Sequence, residues 1–322
     1  MSGRKAQAMN RLPGISKTQI PVIATTVVLM LMIAFGAFKY KHFFELSNFE
    51  GIVKGNAYLG IVAVGMTFVI IAGGIDLSVG AVVGTIGVIL ATLLAKGMSL
   101  QLAVPLVLAI GVVFGASMGY LIAKFEIAPF LVTLAGMFLA RGVGLVINQD
   151  SIEISNKLVD RFNDFYYGET VALVAVLLVG AVLLHMTPLG RATFAIGCNE
   201  TSSKLMGLPV FRTKVVIYAI SGFCSALAGV IYALSMSSAA AKVCDGLELD
   251  AIAAVVIGGT LLTGGIGTIV GTLMGFLTLG IIGSITTFAN IDSWWSKIMV
   301  GGLLCAFILL QKVVSVKQSN AG

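Results

Sequence analysis

The chain has 322 residues, 58% of them hydrophobic and 11% charged, with a formal net charge of +6 and a mean hydropathy of +1.05. Soluble domains are about 45–50% apolar and about 25% charged. Both quantities depart in the direction of lipid, leave little room for a separate soluble domain, and present no basic face for nucleic acid. At roughly 20 apolar residues per crossing, the sequence has material for about ten spans: an all-α, polytopic transmembrane helical bundle, read as a single membrane domain over 1–322.

The N-terminal segment, 1–19, carries Arg4, Lys5, Arg11 and Lys17 with no acid and is read as cytoplasmic. The apolar run from Ile20 to Phe38 is long for a signal-peptide core, and no A-x-A-like site follows it, which favours an uncleaved first span. Further spans are expected at 52–72, 78–95, 102–123, 129–147, 169–186, 215–233, 249–263, 266–288 and 294–310. The eighth is short enough to be a half-helix. The outer stretch Asn148–Gly168 holds Leu158, Phe162, Phe165 and Tyr166 at roughly helical spacing, as either an interfacial helix or a packed loop. The inner connection, 187–214, is the longest cytoplasmic one.

With the N-terminus inside, Lys and Arg number 11 in inner segments and 8 in outer ones, while the acids number 3 and 11. That bias follows the positive-inside rule. Ten spans also return the tail, 311–322, with Lys312 and Lys317, to the cytoplasm. Trp294 and Trp295 then sit where an outer aromatic belt is expected.

Between the second and third spans lies GGIDLSVG. Gly73 and Gly74 free the backbone where one helix stops, and Asp76 and Ser78 suit the N-cap of the next. This is either a capped turn at the membrane edge or a discontinuous helix beside a gate. GGIDLSVGAVVG (Gly73–Gly84) is echoed by GGIGTIVGTLMG (Gly264–Gly275), identical at six of twelve positions, which makes Gly264 and Gly265 matching candidates for a helix break. Arg141 falls within the fifth apolar run, where an arginine is costly unless it snorkels, pairs with a carboxylate or lines a watery path. His185 reads as an interfacial residue and His42 as part of an outer loop. Cys198, Cys224, Cys244 and Cys305 show no paired spacing and are read as small hydrophobes rather than metal ligands.

The absences carry information too. There is no Gly-Lys dipeptide, hence no P-loop, and no H-E-x-x-H or C-x-x-C. No ladder of intramembrane carboxylates suggests proton coupling. Energy for transport must come from a partner, or flow is passive. Within 187–214, AIGCNETSSKLMG offers Asn199, Thr201 or Ser202 as cap of a short helix beneath the membrane, able to carry motion from a soluble motor; an ordinary loop is the alternative.

The segments AVGMTFVIIAGGIDLSVG (Ala63–Gly80), AIGCNETSSKLMG (Ala195–Gly207) and ELDAIAAVVIGGTLLTGGIGTIVGT (Glu248–Thr272) resemble the permeases of bacterial ABC sugar importers of the ribose, xylose and galactose type. The resemblance runs from about residue 50 to 311. PFLVTLAGMFLARGV (Pro129–Val143) and the stretch Asp292–Ile298 look closest to a permease of the galactofuranose importer. The resemblance implies a non-catalytic inner-membrane subunit that binds no cofactor, working with an ATPase subunit that carries ATP and Mg. It also implies a second permease subunit, paralogue or copy, and a periplasmic sugar-binding protein. The family's ATPase-coupling segment maps onto Gly197, Asn199, Glu200, Ser203 and Gly207. The usual alanines after the acidic residue are replaced by Thr201-Ser202-Ser203, and Cys198 stands where the family often has Gly. The rival reading is a secondary sugar carrier or facilitator that works without an ATPase.

Overall fold

A computed structural model describes residues 20–154, 167–292 and 294–319. In chain order these form α1 (Ile20–Lys39), α2 (Leu46–Gly55), α3 (Ala57–Ile71), α4 (Val79–Ala95), α5 (Leu100–Phe125), α6 (Pro129–Ile147), β1 (Ile152–Glu153) and α7 (Gly168–Met186). Then follow α8 (Pro188–Cys198), α9 (Glu200–Leu205), α10 (Val210–Ser235), β2 (Ser238–Ala239), α11 (Leu247–Ile257), α12 (Ile269–Phe288) and α13 (Trp294–Ser319). The all-α expectation holds apart from β1 and β2, which pair antiparallel, Ile152 opposite Ala239, and tie together the segments that follow α6 and α10.

Among the described residues, six helices are long and apolar enough to cross a membrane: α1 over Val22–Lys39, then α5, α6, α7, α10 and α12. The pair α2–α3, bent by 57°, makes a seventh if it is one span. The expected count of about ten is therefore met only in part by length and apolarity. α4 has 17 residues, and the described apolar part of α13 is Trp294–Leu309. α11 has only 11 residues, on the half-helix side of the expectation for the eighth span. The physical cause is that backbone before α4 and before α11 is non-helical. The interfacial candidates Leu158, Phe162, Phe165 and Tyr166 lie outside the described residues, as does 1–19.

α3 is the axis of the fold. All its residues except Tyr58 are buried, and α7, α10, α11 and α12 pack around it. Tails of lipid are as apolar as leucine, so helices in a membrane associate through close packing rather than through the hydrophobic effect. The α5–α10 seam shows this. A Cβ on Gly115 would stand 2.1 Å from the Tyr218 carbonyl oxygen, and one on Gly222 would stand 2.2 Å from that of Gly111.

Candidate functional site at the inner glycine junction

The connection expected over 187–214 is largely helical between α7 and α10, which is the short-helix alternative left open by the sequence. Thr187 opens α8, its hydroxyl accepting from Gly190 N at 3.4 Å, and Pro188 occupies the first turn, where its missing N–H costs nothing. Asn199 breaks the helix with an extended backbone (φ −163°, ψ 107°), and its side chain caps α9 by accepting from Ser202 N at 2.8 Å. Of the three cap candidates it is Asn199 that acts. Ser203 is fully buried and donates to Asn199 O at 2.9 Å. Gly207, at φ +79°, closes α9: its N–H reaches Lys204 O and that of Leu208 reaches Ser203 O.

Charge fastens this helical pair from two sides. Glu200 pairs with Lys214 of α10 at 2.7 Å and with Lys204 at 3.3 Å, and Lys204 also pairs with Glu126 at 2.7 Å. Glu126 occupies the corner between α5 and α6 with φ 53°. Partial burial alone pushes the Glu200 carboxyl up, but the ammonium groups of Lys214 and Lys204 outweigh it and hold it below its ordinary range. The hydrogen bond and charge of Lys204 likewise lower Glu126, and Glu126 and Glu200 raise Lys204.

Above α8 lies a backbone-to-backbone junction. A Cβ on Gly197 would fall 1.8 Å from Ile71 O and 2.5 Å from Gly265 N, so only glycine fits. Gly265 N–H donates to Ile71 O at 2.8 Å. Gly73, Gly264 and Gly265 all have positive φ, and Gly264 lies against Gly73 and the Gly197 carbonyl. The two GGI echoes thus sit side by side in space; the second touches the end of α8, and Gly197 there also meets Ile71 at the end of α3. The helices that follow them, α4 from Val79 and α12 from Ile269, start within one aligned residue of each other. Beside the junction a cavity of about 770 Å³ is lined by Val22, Ile23, His185, Phe194 and the 265–268 turn. His185 is exposed there, its ring 6.2 Å from that of Phe194.

Asp76 and Ser78 differ from the expectation of a cap. Ser78 makes no side-chain cap to α4. Instead the buried Asp76 carboxylate accepts from Ser78 N at 3.0 Å, Ser78 Oγ at 2.6 Å and Ser221 Oγ of α10 at 2.7 Å. Thr133 Oγ1 of α6 donates to Ile75 O at 3.0 Å. Ser221 is the twelfth residue of α10, about 17 Å along it at 1.5 Å per residue. The break is therefore deep in the bundle, not at its edge, and two hydroxyl groups and one backbone N–H compensate a buried carboxylate. Arg141 is not part of this junction. It pairs with Asp245 at 2.8 Å, the carboxylate-pairing alternative among those left open by the sequence. Sequence reasoning did not single out Glu126, Lys214, Ser221 or Thr133 for any role, because each meets its partner across separations of 14 to 145 residues that no spacing rule reads.

Residues 48–308 match the family described as branched-chain amino acid transport system / permease component. The chain belongs to this permease family. The permease is 43% identical over 312 residues to the inner membrane ABC transporter permease protein YjfF of Escherichia coli K12, covering 91% of this chain and 94% of that one. It is 40% identical to the fructose import permease protein FruG of Bifidobacterium longum, covering 93% of each chain. It is 36% identical to the ribose import permease protein RbsC of Haemophilus influenzae, covering 91% of this chain and 93% of that one. These relatives bear out the resemblance to permeases of ABC sugar importers. No solved structure matches the permease. Its several apolar helices and its family together make it a multi-pass membrane subunit.

Proposed function

We propose that this chain is the membrane subunit of an ATP-driven monosaccharide importer. A periplasmic binding protein hands the sugar to its outer face, a separate ATPase docks beneath α8 and α9, and a second permease subunit completes the pathway. The chain crosses the inner membrane about ten times, with α4, α11 and α13 adding to the longer helices, and both termini are cytoplasmic. Galactofuranose is the sugar favoured by the resemblance at Pro129–Val143 and Asp292–Ile298.

One observation supports the reading above the others. The candidate coupling residues lie on a short helical pair whose Gly197 is in backbone contact with Ile71, at the end of α3, and with the Gly264-Gly265 break, which itself lies against Gly73. A push on α9 has a rigid route into α3, α4 and α12, because the contact has no side chain to absorb displacement. Gly73, Gly74, Asp76, Ser78, Gly264 and Gly265 would then be the places where those helices pivot. Leu205 and Met206, 84% and 69% exposed at the end of α9, present an apolar tip toward the ATPase.

The test is reconstitution in proteoliposomes with the ATPase, the second permease and the binding protein. Labelled monosaccharide should accumulate only with ATP inside the ATPase compartment. Equal uptake by this chain alone would establish the facilitator instead.

A further inference from the structure

One face of the bundle breaks the apolar rule that the others keep. The outward sides of α1, α5 and α7 expose residues such as Leu31, Val113 and Leu178, each more than 60% accessible, as lipid contact requires. Arg141 is the thirteenth of nineteen residues in α6, so about 18 Å of helix separate it from the inner end. The other end, at Ile147, is about 9 Å away, so the residue lies within a hydrocarbon layer about 30 Å thick. Its pair with Asp245 is open on one side, the two side chains being 24% and 54% accessible. An ion pair in that position is costly against acyl chains and is tolerated against water or protein.

The rest of the patch gathers at the same level. Ala239, Ala241 and Cys244 lie against Gly87, Gly84 and Gly80, so the chain descends along α4 before α11 begins. The first turn of α11 carries Glu248 and Asp250. Glu248 is only 8% accessible, and its Oε2 lies beside Gly80 without a hydrogen-bond partner. Asp250 is exposed and interacts electrostatically with Glu248 and with Lys297 of α13. Tyr58 meets Tyr232 edge-on, ring centroids 5.1 Å apart, and packs with Cys244 against the same buried cluster, within electrostatic range of Asp250. Arg141 Nε is buried and has no acceptor.

We propose that this patch, formed by Arg141, Asp245, Glu248, Asp250 and Tyr58, is a contact site for the imported monosaccharide within the membrane. The proposal rests on the importer reading and adds the residues that touch the cargo. A sugar ring is neutral and carries hydroxyl groups that each donate and accept. Carboxylates accept from them, a guanidinium donates in a fixed fork, and a tyrosine ring offers a flat apolar surface to the C–H face. Buried polar groups left unpaired are costly, and Arg141 Nε and Glu248 Oε2 supply one free donor and one free acceptor. Three carboxylates against Arg141 and Lys297 leave the site net negative, which suits a neutral sugar and opposes a sugar acid. The match is chemical: the donors and acceptors a hydroxyl needs are present together.

The experiment uses the complete transporter in proteoliposomes, with labelled ribose, fructose and galactose as probes, each variant first matched to wild type in yield and size-exclusion profile. Asp250→Asn and Arg141→Lys should each lower uptake at least tenfold at sub-saturating sugar and change the ranking of the three sugars. In a Cys244→Ser background, which removes the patch's own half-buried thiol, Asp250→Cys should react with a charged, membrane-impermeant thiol reagent from the periplasmic side, above the background of Cys198 and Cys305, and sugar should slow that reaction several-fold. Leu178→Cys, facing lipid, should stay unmodified. If Asp250→Cys is unreactive, or Asp250→Asn imports at the wild-type rate and ranking while the wild type is active, the site is overturned and the importer reading stands. A wild type that imports no sugar in the same vesicles overturns the importer reading, and the site with it.

Discussion

At the residue scale, the junction distinguishes glycines that must be glycine from those that merely are. Gly197→Ala places a carbon 1.8 Å from Ile71 O, so α8 must leave its seat. Uptake by the reconstituted transporter should fall below a tenth of wild type. Gly207 has open space around it but φ +79°, so alanine there brings only the strain of a left-handed backbone, about 1 kcal/mol. Uptake should be nearly kept. Gly51, with nothing within 4 Å, serves as the neutral control. Asp76 poses the opposite problem, a buried charge held by donors. Ser221→Ala removes one of them and leaves a carboxylate oxygen unmet, at a cost of about 1–3 kcal/mol. Thermal unfolding in detergent should show a lower midpoint, whereas Ser225→Ala, which removes only a bond to the backbone of its own helix, should shift it less. Both glycine breaks were legible in the sequence as positions that free a backbone. That they touch each other, and that Gly197 meets Ile71 and the second of them, was not, since contact across such separations leaves no periodicity.

At the scale of elements, the α8–α9 pair is a docked unit rather than a loop. Its docking has a defined pH range. Glu126 and Glu200 titrate below the 4.5 of a free glutamate, and Lys204 titrates above the 10.5 of a free lysine. A lowered carboxylate contributes stability that is present above the free value and lost as pH falls through the folded one. A raised lysine contributes stability that is present below its free value and lost as pH rises through the folded one. The clasp should therefore hold across neutral pH and loosen under acid below about 4.5. Hydrogen exchange over residues 200–206, corrected for its intrinsic acid dependence, should quicken several-fold from pH 7 to pH 4, and Lys204→Met should flatten that response. Lys204 and Glu126 are 46% and 73% exposed, so the pair is a steering contact in water rather than a store of stability. The α5–α10 seam is different in kind. Gly222→Ala would put a carbon 2.2 Å from Gly111 O and must separate the helices. The yield of folded, monodisperse protein should drop sharply, while Gly142→Ala, open on all sides, should leave it unchanged.

For the whole molecule, the reading is that a cytoplasmic push enters at α9 and reaches three core elements through one contact. Removing 197–207 should abolish ATP-driven uptake and leave membrane insertion intact, measured by protease protection of the outer segments. Uptake that survives the deletion would remove coupling from this segment. The sequence by itself determined the helical class, the membrane setting and the family, because apolar runs, glycine content and long motifs are local properties that lipid imposes on any spanning chain. It also marked Gly73, Gly264 and the 197–207 segment as places where helices stop. Tertiary structure decided how these meet. Asp76 became a buried strut to α10 rather than a cap, since Ser221 approaches from 145 residues away. Arg141 found Asp245, because the chain before α11 descends along α4 and carries a residue expected outside into the span. Such outcomes depend on which backbones can approach closely. That is settled by packing among all the helices at once, and no window of sequence contains it.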